Sequence, residues 1–227
     1  MTAAAPRIAL IHATPLAVEP IRSAFERLWP QATRMNLLDD SLSVDRAEAG
    51  RLTDAMVQRF VALARYAQGT GAAGILFTCS AFGPAIEVAA RATGLPTLKP
   101  NQAMFDDALA LAKPGRPLKL GLLATFQASI PSMADELQQL AAARAVALDL
   151  RSVFVPEAMD DLAAGRAADH HRKIAQAAVA LADCDAVMLA QFSMAAAAPE
   201  AQAQLPCPVL SSPDCAVCAL MQTMRDV

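Results

Sequence analysis

GAAGILFTCSAFG, residues 71–83, is the stretch on which the reading of this chain turns. Its apolar core, Gly74 to Phe77, shows no polar alternation, as expected of a strand covered on both faces. Thr78-Cys79-Ser80 then breaks the run, and a helix is expected to begin near Phe82 to Pro84. A strand that ends in a turn and feeds a helix is the opening of a βαβ unit.

The same grammar extends in both directions. RIALIHA, residues 7 to 13, reads as a strand ended by Thr14-Pro15, and a helix follows around Pro20 to Leu28. One long helix is expected from Asp45 to Gln68, with Leu52, Met56, Phe60, Leu63 and Ala67 on its buried stripe. GLPTLKP is a short strand, and a helix is expected from Gln102 to Lys113. KPGRPLK, residues 113 to 119, reads as a linker. Beyond it come the strand KLGLLAT, a helix Ile130 to Ala143, the strand LDLRSVFV, helices through Met159 and His170 to Asp183, the strand DAVMLAQFS, and CPVLSSP with a last helix.

The second series repeats the first at a constant spacing of 112: Ile8 with Leu120, Ile75 with Val187, Pro96 with Pro208 and Leu98 with Leu210. The expected fold is α/β: two pseudo-symmetric flavodoxin-like lobes, residues 1–114 and 115–227, each a parallel sheet flanked by helices. Terminal helices are allowed to cross between the lobes. Ligands of such sheets bind beyond the carboxyl ends of the strands, so the expected site is the cleft between the lobes. Those ends carry His12-Ala13-Thr14, Thr78-Cys79-Ser80, Ala124-Thr125-Phe126 and Ala190-Gln191-Phe192-Ser193.

Composition narrows the function. The net charge of −3 comes with no basic tract, so nucleic acid is not an expected partner. The N-terminus lacks the pattern of a signal peptide, and no uncharged apolar run is long enough to span a bilayer; the expectation is a cytoplasmic protein without membrane contact. Of five cysteines, Cys184 reads as buried filler. Cys215 and Cys218 have redox-pair spacing but no thioredoxin-like strand before them, and with Cys207 they fall short of a zinc site. No metal site is expected at these cysteines. His170-His171, among Asp169, Arg172 and Lys173, reads as a solvated face.

Cys79, at a strand end just before a helix, is the candidate for chemistry. Unpaired N–H groups there would lower its thiol pKa and could hold a substrate carboxylate, or the residue is an inert buried cysteine. GILFTCSAFG, KLGLLAT, AVMLAQFSMA and LPCPVLSSP, in that order across nearly the whole chain, resemble the Asp/Glu/hydantoin racemase superfamily, which includes maleate isomerase and arylmalonate decarboxylase. The resemblance implies a cofactor-independent enzyme in which two cysteines exchange protons at the carbon beside a carboxylate. It also implies small hydroxyl and backbone groups that hold that carboxylate. Cys79 matches the first cysteine; its repeat partner is Gln191, which cannot transfer a proton near neutral pH.

Three chemistries stay open: isomerisation or racemisation with His12 or Asp214 replacing the second thiol, decarboxylation of a malonate-type acid with Cys79 as proton donor, and addition of Cys79 to a double bond. A non-catalytic carboxylate-binding protein is the further alternative. Catalysis is assigned to Cys79 and His12, and substrate binding to Thr14, Ser80, Ala81, Thr125, Gln191, Phe192 and Ser193. Phe82, Phe126 and Phe192 hint at an apolar substrate. The expected partner is a small carboxylate-bearing molecule, with a homodimer as a possible assembly.

Overall fold

The computed structural model describes residues 5–225. Two compact units divide the chain: one holds the described residues up to Ala103 and those from Ala216 on, the other is Met104–Cys215.

In the first unit, β1 (Arg7–His12), β2 (Thr33–Leu38), β3 (Gly74–Phe77) and β4 (Thr97–Leu98) form one parallel sheet in the order β2-β1-β3-β4. The intervening helices are α1 (Val18–Leu28), α2 (Ser41–Ala49), α3 (Asp54–Gly69) and α4 (Gly83–Thr93), with α5 (Gln102–Leu109) across the division. Ala9, Ile11, Ile75 and Phe77 share one sheet face and pack under Leu42, Phe60, Ala64 and Ile86 from α2, α3 and α4. Phe60 lies between Phe77 and Phe82, with ring centroids 5.1 and 4.8 Å away. This aromatic stack anchors the turn after β3 to the core.

The second unit repeats the plan with β5 (Leu118–Ala124), α6 (Ile130–Ala143), β6 (Leu148–Phe154), α7 (Ala158–Ala163), α8 (Ala167–Ala178), β7 (Ala186–Leu189), α9 (Ala198–Gln202) and β8 (Val209–Ser211). The helix α10 (Ser212–Arg225) comes last and crosses the division. The sheet order is β6-β5-β7-β8, all parallel. Leu123, Val187 and Leu189 pack under Ile174, Ala178 and Leu181, as Ile11, Ile75 and Phe77 pack under their helices in the first unit.

The repeat extends to the pairing itself. Ile8 pairs Gly74 and Leu120 pairs Ala186; Ile75 pairs Thr97 and Val187 pairs Val209, so every pairing among these strands keeps the 112 spacing. The edge strands β2 and β6 break it: Arg7 pairs Thr33, but Lys119 pairs Asp149, a displacement of 116 from Thr33. An insertion of four residues before β6 is therefore cancelled before β7.

Three expectations need correction. The single helix Asp45 to Gln68 is two helices. Gly50, left-handed at φ 64°, ends α2, and Thr53 caps α3 by accepting from Met56 N–H at 3.4 Å. β2 is an addition to the expected strands, because a half-exposed edge strand such as TRMNLL carries no clean apolar run. The helix from Gln102 stops at Leu109 rather than Lys113.

Gly121, mid-β5, lies directly under Leu181, in the turn Val179–Leu181 that follows α8. A Cβ there would lie 2.8 Å from Leu181 Cδ1 and 3.1 Å from Val187 Cγ2. Gly121→Ala is expected to destabilise the protein by about 1–3 kcal/mol through overpacking, read as a lower denaturant midpoint at unchanged slope.

Candidate active site

In each sheet the strand order reverses between the two central strands, β1 and β3 or β5 and β7, and the carboxyl ends of those strands open at that point. Thr78 N–H donates to Ile11 O at 3.0 Å and Ala190 N–H to Leu123 O at 2.9 Å, after which the strands part into short 3-10 turns. Four residues precede those turns: Thr14, Cys79, Phe126 and Gln191. They form two pairs at the 112 spacing, Thr14 with Phe126 and Cys79 with Gln191.

Cys79 is extended (φ −123°, ψ 118°) and half-buried, packed against the apolar core of the first unit. That burial pushes its thiol above the ordinary value of 9.0, and the Ala81 N–H, donating toward the sulfur, opposes the shift without reversing it. The expected lowering by the turn is thus outweighed by desolvation, and the resting group is a thiol. Ser80 and Ala81 lie in the turn Ser80–Phe82, both exposed.

His12 is 1% exposed and both its ring nitrogens are engaged. Nε2–H donates to Asn36 Oδ1 at 3.0 Å, and Nδ1 is hydrogen-bonded with Thr78 Oγ1 at 2.9 Å. Burial lowers its pKa, and the bond to Asn36 partly restores it. Neither nitrogen is presented to a ligand. Thr14 accepts from Leu16 N–H at 3.4 Å, as a cap of its turn does.

In the second unit Gln191 is the hub. Its Oε1 accepts from Thr125 N–H at 2.9 Å and from Thr125 Oγ1–H at 3.2 Å, and its Nε2–H donates to Ser129 Oγ at 2.7 Å. Ser129 Oγ–H donates in turn to Phe126 O at 2.8 Å. Ser129 and Asn36 are not singled out by the sequence, since a lone Ser at a helix start reads as a cap residue and a lone Asn in an edge strand carries no local signal. Comparison of the repeats carries a signal for both clusters. His12 and Thr78 stand where the second unit has Ala124 and Ala190, while Thr125 and Ser129 stand where the first has Ala13 and Ala17. Each unit holds a polar cluster that the other lacks.

The aromatic hint narrows to one residue. Phe82 and Phe192 are buried, whereas Phe126 is 51% exposed. Ser193 is half-buried in the turn after Gln191. Asp214 lies in the first turn of α10, where Cys215 is buried and Cys218 exposed. Cys184 and Cys207 are buried in the core of the second unit, and Arg151 Nη2 donates to Cys184 Sγ at 3.2 Å. The solvated reading of His170 is overturned: it is fully buried, because it shares the stripe of Ile174 and Ala178 on α8. Among the described residues, no three His, Cys, Asp or Glu side chains gather as metal ligands would, and no helix is long and apolar enough to cross a membrane.

Solved structures of similar fold include glutamate racemase RacE1 from Bacillus anthracis, at TM-score 0.69 and 16% identity over 99% of this chain and 83% of that one. Allantoin racemase from Klebsiella pneumoniae gives TM-score 0.69 at 15% identity, over 97% and 88%. Unliganded arylmalonate decarboxylase gives TM-score 0.63 at 20% identity, over 96% and 92%. No curated protein sequence matches significantly. The family model described as Asp/Glu/Hydantoin racemase matches residues 11–220, nearly the whole chain, and the chain belongs to that family.

Proposed function

We propose that this protein is an enzyme acting on a small carboxylic acid, transferring a proton at the carbon next to a carboxylate or carbonyl with Cys79 as the acid/base. The observation that carries the reading is the position of Cys79: a half-buried thiol at the carboxyl end of a central strand, where the strand order reverses and a short turn begins. The chemistry needs no more than this thiol and donors for the carboxylate.

Two observations favour one-acid chemistry as the form of that transfer. The thiol rests protonated, and the repeat partner of Cys79 is a glutamine amide already engaged at both its oxygen and its nitrogen. In decarboxylation of a malonate-type acid, the bond to one carboxyl carbon breaks and carbon dioxide leaves. Its electron pair remains as an enediolate, which takes the proton from Cys79 Sγ–H; water then reprotonates the thiolate. Racemisation requires a second titratable group on the opposite face, and His12 is not presented for that part.

We assign His12 a positioning role instead. With Asn36 and Thr78 it ties β1, β2 and β3 together beneath Cys79, as a satisfied buried network does.

Cys79→Ala is expected to lower turnover by about 10²–10⁴-fold on whichever of amino acids, hydantoins, maleate and substituted malonates is accepted. In deuterium oxide the wild type should place deuterium at the α-carbon of the product. Equal turnover by wild type and Cys79→Ala on every accepted compound would sink the assignment. With the thiol as acid, kcat/KM should fall as pH rises through its raised pKa; a thiolate base would give a rise over the same range.

His12 yields a stability prediction of definite sign. Its folded-state pKa is below 6.5, so under that pH the unfolded chain binds a proton that the folded chain refuses, and stability falls on acidification. His170, also depressed by burial, adds to the same slope. His12→Gln should flatten the loss of Tm below about pH 6.5 without shifting the limb of the pH–rate profile assigned to Cys79. A proton-transferring His12 would instead remove a limb of that profile.

A further inference from the structure

His170 is fully buried, yet neither of its ring nitrogens meets a hydrogen-bond partner among the described residues. A neutral imidazole tolerates that; an imidazolium, with a charge and two N–H donors, does not. The ring closes the first turn of α8, where the positive end of the helix disfavours a cation further. His171, with its ring centroid 5.4 Å away, opposes a charge on His170 as well.

The segment in front of the ring is thinly packed. From Met159 to Asp169 the one buried residue is Asp161, so α7 and the start of α8 add little apolar surface to the core. Both joints of the segment are left-handed: Glu157 at φ 61°, which a non-glycine residue holds at a cost, and Gly165 at φ 75°. Charge holds it shut. Asp161 on α7 pairs with Lys173 Nζ at 2.7 Å and accepts from Arg166 Nη2 at 2.7 Å, and Lys173 also donates to Glu157 at 3.0 Å. A segment with so few buried apolar contacts opens locally at low free energy.

We propose that residues 156–171, α7 with the first turn of α8, form an acid-triggered flap that opens when His170 takes up a proton. Opening gives both ring N–H groups water, while Ile174 and Ala178 stay on the core. The neighbouring charges do not supply the trigger. Asp161 stays ionised, because Lys173 and Arg166 hold its pKa below the ordinary value. It favours a charge on His170, but burial outweighs it and lowers the His170 pKa. On α8, Asp169 pairs with Arg172 at 2.6 Å; on α9, Glu200 lies 3.5 Å from His171 Nδ1; Asp160 on α7 is exposed. β5 and the turns Val179–Leu181 and Phe192–Ala197, also packed on α8, bring no titratable group but Lys119, which pairs with Asp183 at 3.6 Å. The flap hangs from the carboxyl end of β6, where Val155 N–H donates to Ala124 O at 2.8 Å. Acid therefore loosens the second unit at the end of the sheet that carries Thr125 and Gln191.

Hydrogen exchange followed peptide by peptide from about pH 7.5 to about pH 5.5, with each rate corrected for its intrinsic pH dependence, tests the flap in wild type, His170→Leu and His171→Gln. In wild type, protection over 156–171 should fall about five- to tenfold across that range, as a proton taken up in the open form requires, while α3 and α6 keep theirs. His170→Leu, of similar bulk and without charge, should remove the pH dependence; His171→Gln should keep most of it.

If His170→Leu fails to fold, the ring resonances of wild type decide: the His170 ring should titrate together with the loss of flap protection. Protection lost equally across the chain, a pH dependence that survives in His170→Leu, or a His170 ring that titrates under a flap still protected would overturn the proposal. The readout needs no turnover, so its outcome is independent of the role given to Cys79.

Discussion

Thr78 N–H to Ile11 O and Ala190 N–H to Leu123 O are the last rungs of the two central ladders, and the placing of every candidate group depends on them. Parallel strands keep their register up to that rung and then need separate crossovers, so their chains must part. The residue one step past the rung, Cys79 in one unit and Gln191 in the other, is delivered to the start of a turn at the same height. The register below is set by covered apolar runs, GILF and AVML, which have no alternative face to offer water. The core thus determines where the candidate groups stand, although it supplies none of them.

On that shared scaffold the two units distribute their polar groups in opposite ways. The first places His12 and Thr78 beneath the turn, in the core, where each must find a partner and does. The second has alanine at both positions and instead places Thr125 and Ser129 around Gln191. Buried polar groups are destabilising unless matched, so neither cluster survives on packing merit alone. One cluster underlies a thiol and the other surrounds an amide. The units therefore share an architecture and differ in the polar groups they carry at its strand ends.

The legible part of the sequence is the part governed by periodicity and by repetition. The covered strands are continuous apolar runs, and the 112 spacing survives in their pairing partners. β2 is not legible because an edge strand half in water need not be apolar. The break at Gly50 is hidden because the expected stripe through Leu52 and Met56 runs across it, whereas a left-handed Gly50 and an extended Thr53 separate the two helices. His170 misleads because charged neighbours dominate its surroundings in sequence, whereas its burial follows from Ile174 and Ala178, four and eight positions on. In the site, Cys79 stands out by residue type. The partners of His12 and Gln191 do not, since Asn36 lies 24 residues from His12, and Thr125 and Ser129 lie 66 and 62 from Gln191. Such pairings are properties of the fold and have no local signature.

Gln191 is the centre of a matched hydrogen-bond cluster. A cysteine there would offer Thr125 a weak sulfur acceptor in place of an amide oxygen and would give Ser129 no amide donor. Gln191, Thr125 and Ser129 are thus coupled: changing one leaves donors or acceptors unmatched at the other two. The same coupling fixes how the amide is turned, since a flipped Gln191 would set its NH2 against the Thr125 N–H and its oxygen against a Ser129 hydroxyl that already donates to Phe126 O.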